Sequence, residues 1–555
     1  MADVGGWRLR ALLLLVLGLA LAGRDLGTAP LEVHEAYVVQ TAQEMSERGS
    51  WIVPWFNDEP RLRKPPLSYW ATALVGRLAG HDRLQPADGR LPSALGGVGI
   101  LALVLWMGSR CYDQRTALLA GLMLITCVGY FHYTHGARSD MLYAFWATAG
   151  LAAFVTSIRR TEEARSTRGI ALTMWVCFGL GTLTKGPQVP AMFLAAFAGW
   201  AAVERVGWRR AVETIRPLPG LAVFLALTLP WWLAVERAAG VAGLDATQLE
   251  GSLIRPGGFA PDYLYRLPQI LLPWAVVLPA VTALEWRDPE RGRTSRLLGM
   301  VVGVTLVAFS FGSQQRAFYV LPLLAPAVLL LAAGTSRALT AGTAHPRLRG
   351  LVGGMVRGWS LVAVGALTAT LYLGSRIPDP PPGTPLRLAL AGVLALTISA
   401  VTLTRSPEDR CGILGILALA VLAYGSFWIL GGPALEWTRS RDGVEPFGRL
   451  AAAGTPADRE ILAWDTFPDP FVYYAGRPIR ELTEVDQVLG ALQGSPRGLV
   501  ILAKTKALDE LPAAVEVDVL HRQTSYRDRD LSLVRLSLKP APLPAHTHRW
   551  ARHDP

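Results

Sequence analysis

The sequence predicts an all-α polytopic membrane protein with a small C-terminal α/β domain. Three observations predict it. Of 555 residues, 51% are hydrophobic and 17% charged, and the mean hydropathy is +0.31, a balance unlike that of soluble chains. The apolar residues cluster in runs of about 20, the length that crosses a hydrocarbon core as helix. Arginine-rich segments recur between alternate runs, as the positive-inside rule requires.

About thirteen spans are expected, near 9–24, 91–110, 115–132, 140–157, 170–185, 188–205, 215–235, 270–288, 297–313, 319–335, 358–376, 386–404 and 411–431. The first, LRALLLLVLGLALAG, also resembles a signal peptide. A retained signal anchor fits the charge alternation better. With the N-terminus inside, the inner segments hold Arg8 and Arg10, then RCYDQR, RRTEEARSTR, RVGWRRAVETIR, RDPERGRTSR, RALTAGTAHPRLRG and TRSPEDR. The short outer loops are nearly free of basic residues. This predicts a multi-pass protein of the inner (plasma) membrane with its C-terminus outside.

The net charge of +11 is thereby spent on topology, and no nucleic-acid partner is expected; membrane lipids are. Cys111, Cys127, Cys177 and Cys411 lie in or beside apolar runs without CxxC spacing, so neither a disulfide framework nor a metal site is read.

Three domains follow: a membrane domain over 1–432, including an outer loop at 25–90; an external α/β domain over 433–540; and a disordered tail over 541–555. Within the loop, EAYVVQTAQEMSER predicts an amphipathic helix over 35–48, with Gly49 as its C-cap. In the C-terminal domain ILAW, LVILA, VEVDVL and SLVRLSL read as strands.

Against so strict a charge rule the exceptions are informative. Lys64 in RLRKPP, Arg138 in HYTHGARSD, Lys185 in TLTKGP and Arg316 in GSQQRAFYVLP are basic residues at outer ends of spans. Charge at such depth is costly unless paired. A single such residue could snorkel to the headgroups, but four on one face point to an anionic ligand, best a phosphate or diphosphate at the membrane surface. Glu35 and Asp140 accompany them. Each also has a structural reading, Glu35 through the helix dipole and Asp140 as an N-cap. Carboxylates that orient or deprotonate a hydroxyl, beside cations that stabilise a departing phosphate, suggest group transfer from a lipid-phosphate donor. A transporter or flippase of an anionic polyprenyl-linked lipid is the alternative; it would need the cations but not the carboxylates.

The blocks HEAYVVQTAQEMSERGSWIVPWFNDEPRLRKPPLSYW, RLPSALGG, ARSDMLYAFW, GLGTLTKGP and FYVLP, in that order, resemble the protein O-mannosyltransferase-like family of membrane glycosyltransferases, on the side of the bacterial 4-amino-4-deoxy-L-arabinose transferases. The resemblance covers residues 10 to 335 well and is loose beyond. It implies a GT-C fold of thirteen spans with a periplasmic active site. It also implies an inverting transfer of a sugar from a polyprenyl phosphate to a lipid A-like lipid, a glycan or a protein. The family's first acidic pair falls on His34 and Glu35, its second-loop aspartate on Asp140, and its lysines on Lys64 and Lys185. Arg316 is nearest to a further cationic position, and Tyr319 keeps the tyrosine. His34, Glu35 and Asp140 remain alternatives for the base, with Glu35 preferred and Asp140 supporting it. Lys64, Arg138, Lys185, Arg316 and Tyr319 would bind the donor phosphate. Arg63 stands where relatives often have Glu, so no clear ligand set marks a metal site; no required cofactor is expected, and a divalent cation stays open as an addition.

Overall fold

The computed structural model describes residues 4–242, 257–288, 291–313, 315–340, 443–495, 498–526 and 529–539, with six positions between 346 and 358. The spans expected at 358–376, 386–404 and 411–431, Cys411 and the tail at 541–555 lie outside the described residues. Contacts divide the chain into units at Met1–Thr438 and Arg439–Pro555.

In the first unit, α1 (Val4–Ala22) precedes the loop helices α2 (Val33–Arg48) and α3 (Leu67–Ala79). Next come α4 (Pro86–Cys111), α5 (Gln114–Ile125), α6 (Val128–Thr134), α7 (Ser139–Glu162), α8 (Arg168–Lys185) and α9 (Gln188–Val203). Beyond these lie α10 (Trp208–Ile215), α11 (Pro217–Ala242), α12 (Tyr263–Leu271), α13 (Leu278–Trp286), α14 (Gly292–Ser310) and α15 (Leu324–Thr340), the last preceded by a 3-10 turn at Ala317–Leu323. Among the described residues five helical segments are long and apolar enough to span a membrane, or six if the pair α5–α6, bent by 61°, is one span. The bend replaces the single span expected at 115–132. Cys127 between the two helices is extended, and the Val128 amide donates to the Leu272 carbonyl. α7 packs on both α4 and α8, so the start of α7 and the end of α8 are held at one end of the bundle.

α2 begins two residues earlier than the periodicity suggests. Glu32 caps it, and the Glu35 carboxylate accepts the Glu32 amide at 3.0 Å, closing a capping box. Gly49 ends α2 at φ 65°, a left-handed conformation that costs other L-residues about 1–2 kcal/mol. Open space surrounds a Cβ built there. Gly49→Ala is therefore expected to destabilise by backbone strain alone, by about 1 kcal/mol, readable as a modest loss of melting temperature.

A hairpin between α2 and α3 orients the basic segment. β1 (Trp55–Phe56) pairs antiparallel with β2 (Glu59–Pro60) across Asn57 and Asp58, which have φ 57° and 64°. Two successive positive φ values define the tight turn that matches strand twist. Glu44 of α2 secures it by accepting the amides of Asn57 at 2.8 Å and Asp58 at 3.2 Å. Arg61 then lies over the Tyr37 ring, 3.7 Å from its centroid, so its guanidinium packs inside the loop.

The second unit contains a five-stranded sheet in the order β4-β3-β5-β7-β6. Its strands are β3 (Ile461–Trp464), β4 (Ile479–Leu482), β5 (Leu499–Lys504), β6 (Val515–Tyr526) and β7 (Arg529–Leu538). The first three are mutually parallel and the last two run antiparallel to their neighbours. Helices α16 (Val444–Gly454), α17 (Asp469–Ala475) and α18 (Val485–Gln493) complete the unit. β4, IREL, escapes a pattern reading because Arg480 and Glu481 interrupt the apolar run.

Candidate active site

Asp140 is the centre of the charged cluster. It lies in the first turn of α7, where the helix dipole favours a carboxylate. It is not the cap: the N-cap residue is Arg138, extended at φ −134°. The carboxylate is 1% exposed and carries two ion pairs. Lys185 Nζ donates to Oδ1 at 2.5 Å, and Arg138 Nε to Oδ2 at 3.0 Å. A buried charge requires such partners.

Lys185 reaches Asp140 because it is the last residue of α8. Gly186 follows at φ 119°, ψ 173°, a conformation open to glycine, and Pro187 starts the next helix. The ammonium lies 4.6 Å from the Phe318 centroid and 4.7 Å from that of Tyr319, so the FYVLP block forms an aromatic wall over it. Arg138 is 4.9 Å from the same Phe318 ring, and its second arm donates to Glu32 at 2.9 Å. Lys64 Nζ donates to Ser139 Oγ at 3.2 Å, one residue from Asp140. Burial pushes the Lys64 ammonium down to about 8, and the like charges of Lys185 and Arg138 add to this, against the pull of Asp140.

The structure thus brings Lys64, Arg138, Lys185, Asp140 and Tyr319 together. Arg316 is different. Its side chain is exposed, and among the described residues it makes no ion pair.

Glu35 also departs from expectation. It is fully buried and faces Arg90, whose Nε and second terminal nitrogen donate to it at 2.8 and 3.1 Å. The Ala137 amide donates at 2.9 Å and the Glu32 amide at 3.0 Å. Its carboxylate therefore ties α2 to α4 and to the 136–138 loop rather than opening toward Asp140. Arg90 itself is 1% exposed and also reaches the Leu26 and Pro30 carbonyls. Sequence reading missed it, although RLPSALGG opens with it; a basic residue immediately before the apolar run at 91–110, on the face where basic residues are the exception, was the available signal. Glu32 was missed as well, because only its distance to Arg138 distinguishes it from a surface acid.

His34 lies beside this cluster, open to solvent on one side and covered on the other. Desolvation first, then Arg138, lower its pKa to about 4, so the imidazole is neutral near pH 7 and able to accept a proton. His135 spans the Phe131 carbonyl at 2.8 Å and the Leu21 carbonyl at 3.0 Å, a structural link between α6 and α1. Among the described residues no group of three or more His, Cys, Asp or Glu side chains could hold a metal ion.

Membrane-length apolar helices with a buried carboxylate ringed by cations at one end of the bundle define the class as a polytopic membrane protein. Comparison with known proteins narrows it. The family model described as dolichyl-phosphate-mannose-protein mannosyltransferase matches residues 63–233. The chain is 28% identical over 348 residues to the undecaprenyl phosphate-alpha-4-amino-4-deoxy-L-arabinose arabinosyl transferase of Enterobacter sp. (strain 638), covering 61% of this chain and 60% of that one. It is 30% identical over 318 residues to transferase 1 of the same name from Sodalis glossinidius (strain morsitans), covering 54% of each chain. The matches thus span about 54–60% of the length of these relatives. Crystal structures of ArnT from Cupriavidus metallidurans share the fold. The apo form matches with TM-score 0.74 at 17% identity over 96% of this chain and 98% of that one. The form bound to undecaprenyl phosphate matches with TM-score 0.73 at 18% identity and the same coverage. The fold is therefore the ArnT-like GT-C membrane fold, while the family model and the sequence relatives carry the resemblance to the protein O-mannosyltransferase-like family, on its aminoarabinose-transferase side.

Proposed function

We propose that this chain is an integral-membrane glycosyltransferase that moves a sugar from a polyprenyl-phosphate donor to an extracytoplasmic acceptor with inversion. The observation that carries the reading is the convergence of Lys64, Arg138 and Lys185 on Asp140 at the end of α7 and α8. The relatives named above act on undecaprenyl-phosphate aminoarabinose, which makes that lipid the first donor to test. In the step, the acceptor oxygen bonds to the anomeric carbon while the bond from that carbon to the phosphate oxygen breaks. Polyprenyl phosphate leaves with one more negative charge, and Lys64 with the Arg138–Lys185 pair stabilises it. Arg316 and Tyr319 line the approach of the same phosphate. Asp140 orients the acceptor hydroxyl, and neutral His34 accepts its proton. Glu35 acts at one remove, holding the loop that carries Arg138. No divalent cation is assigned to the reaction.

The reading extends to topology: thirteen spans in the inner membrane, the N-terminus cytoplasmic, and the Asp140 site and the α/β unit on the periplasmic face. It is supported by the arginine-rich segments between alternate spans.

The donor side has a pH signature. Lys64 is charged below about 8 and neutral above. Undecaprenyl phosphate affinity is expected to weaken as pH rises from 7 to 9, and Lys64→Arg is expected to remove that dependence because guanidinium stays charged. Titrating the lipid into purified protein across this range measures it. To test the function, labelled undecaprenyl-phosphate aminoarabinose is supplied to the purified protein with an envelope extract. Label is expected in a lipid, glycan or protein acceptor; label confined to the donor would overturn the reading.

A further inference from the structure

The end of the membrane unit remote from Asp140 holds a feature that sugar transfer leaves unused. α8 has 18 residues from Arg168 to Lys185, so its ends lie roughly 27 Å apart. Toward the Arg168 end, α8 to α11 line a half-open pocket of about 530 Å³ whose side chains are all apolar, among them Trp175, Phe197, Ala202, Val206, Trp208 and Ile215. α10 supplies one wall. Trp208, Ala211, Val212 and Ile215 recur at helical spacing on the cavity side, while Arg209 and Arg210 lie off that stripe and are exposed. This is the pattern of a helix lying in a membrane interface.

Arginines adjoin the lining residues: Arg205 precedes Val206, and Arg209 and Arg210 lie between Trp208 and Ala211. Arg168, Arg205, Arg209 and Arg210 are all exposed, and among the described residues none is ion-paired. Carboxylates also lie nearby, and Glu162 is paired with Arg293. Glu204 is taken by Arg293 and Arg296, and Glu213 of α10 is exposed. An apolar cavity beside unpaired cations at a membrane interface is complementary to a molecule with an apolar tail and an anionic head.

We propose that this cavity binds one anionic diacyl phospholipid, with an acyl chain between α9 and α10 and the phosphate on Arg209 and Arg210. Any lipid tail fills the apolar space; the arginines select for charge. Each basic residue near an anionic headgroup strengthens attraction severalfold, so the two together give a preference of about tenfold or more.

Native mass spectrometry of the full-length protein with equimolar dioleoylphosphatidylglycerol and dioleoylphosphatidylcholine tests this. One phosphatidylglycerol is expected to be retained, with that preference. The double variant Arg209→Gln/Arg210→Gln, exposed on the surface, is expected to lose the preference while still binding undecaprenyl phosphate at the distant site. Ala202→Trp, which intrudes on the cavity, is expected to lose retention of both lipids. Equal retention by the unaltered protein, or a preference that survives in the arginine variant, overturns the proposal. Displacement of phosphatidylglycerol by glycerol phosphate would mean a headgroup contact without a seated tail. One-for-one displacement by undecaprenyl phosphate would put the lipid in the Asp140 cleft. Either result overturns it as well.

Discussion

Asp140→Asn is expected to lower the transfer rate by about a hundred- to a thousandfold, the scale seen when a preorganised charged group is lost. The amide keeps the shape but abolishes both ion pairs. Lys185, 7% exposed, is then a buried cation without its counter-charge, and among the described residues Arg138 keeps one ion pair, to Glu32. Stability falls too, because breaking a buried pair costs about 3–5 kcal/mol, so rate must be measured per folded molecule. The double variant Asp140→Asn/Lys185→Met separates the effects. It removes both members of the pair and should recover much of the melting temperature, while activity stays absent. Recovery of activity in that double variant would show that Asp140 serves only to neutralise Lys185.

Arg90→Leu is expected to be the most destabilising single change outside the charged cluster, at about 3–5 kcal/mol. It removes the Arg90 hydrogen bonds to the fully buried Glu35 and to the Leu26 and Pro30 carbonyls, leaving Glu35 without the Arg90 counter-charge. α2, α4 and the 136–138 loop lose their shared anchor. Thermal unfolding in detergent reads the effect. Glu35→Gln distinguishes a holding role from chemistry. The position accepts two hydrogen bonds from Arg90 and one each from the amides of Ala137 and Glu32, and a neutral amide satisfies them poorly. A lowered melting temperature with a mainly preserved rate per folded molecule is expected. A collapse of rate at unchanged stability would restore Glu35 as the base.

Much of this was legible in the chain. The apolar runs marked a mostly helical chain with several membrane-length helices, and EAYVVQTAQEMSER followed by Gly49 marked α2 because helical spacing and a left-handed cap are local properties. Lys64, Arg138 and Lys185 stood out because they break a charge rule, and they meet in space. What sequence could not supply was orientation. Glu35 and Asp140 are both carboxylates near a helix start, yet one turns inward to Arg90 and the other to Lys185, residues 55 and 45 positions away. Pairings at that separation are set by how α2, α4, α7 and α8 pack, and no local pattern encodes them. The hairpin at 55–60 was hidden for another reason. Asn-Asp is a weaker turn signal than Asn-Gly, and its positive φ values are secured by Glu44 from outside the turn.

The central claim is that the Asp140 cluster breaks a sugar–phosphate bond rather than merely binding its lipid. Phosphorus NMR of purified protein with undecaprenyl-phosphate aminoarabinose and a competent acceptor follows that bond directly. The account predicts that the donor phosphodiester signal is replaced by a phosphomonoester at a rate set by the protein, and that Asp140→Asn leaves the diester intact. A diester that persists while the lipid crosses between leaflets in vesicles containing the protein would contradict it.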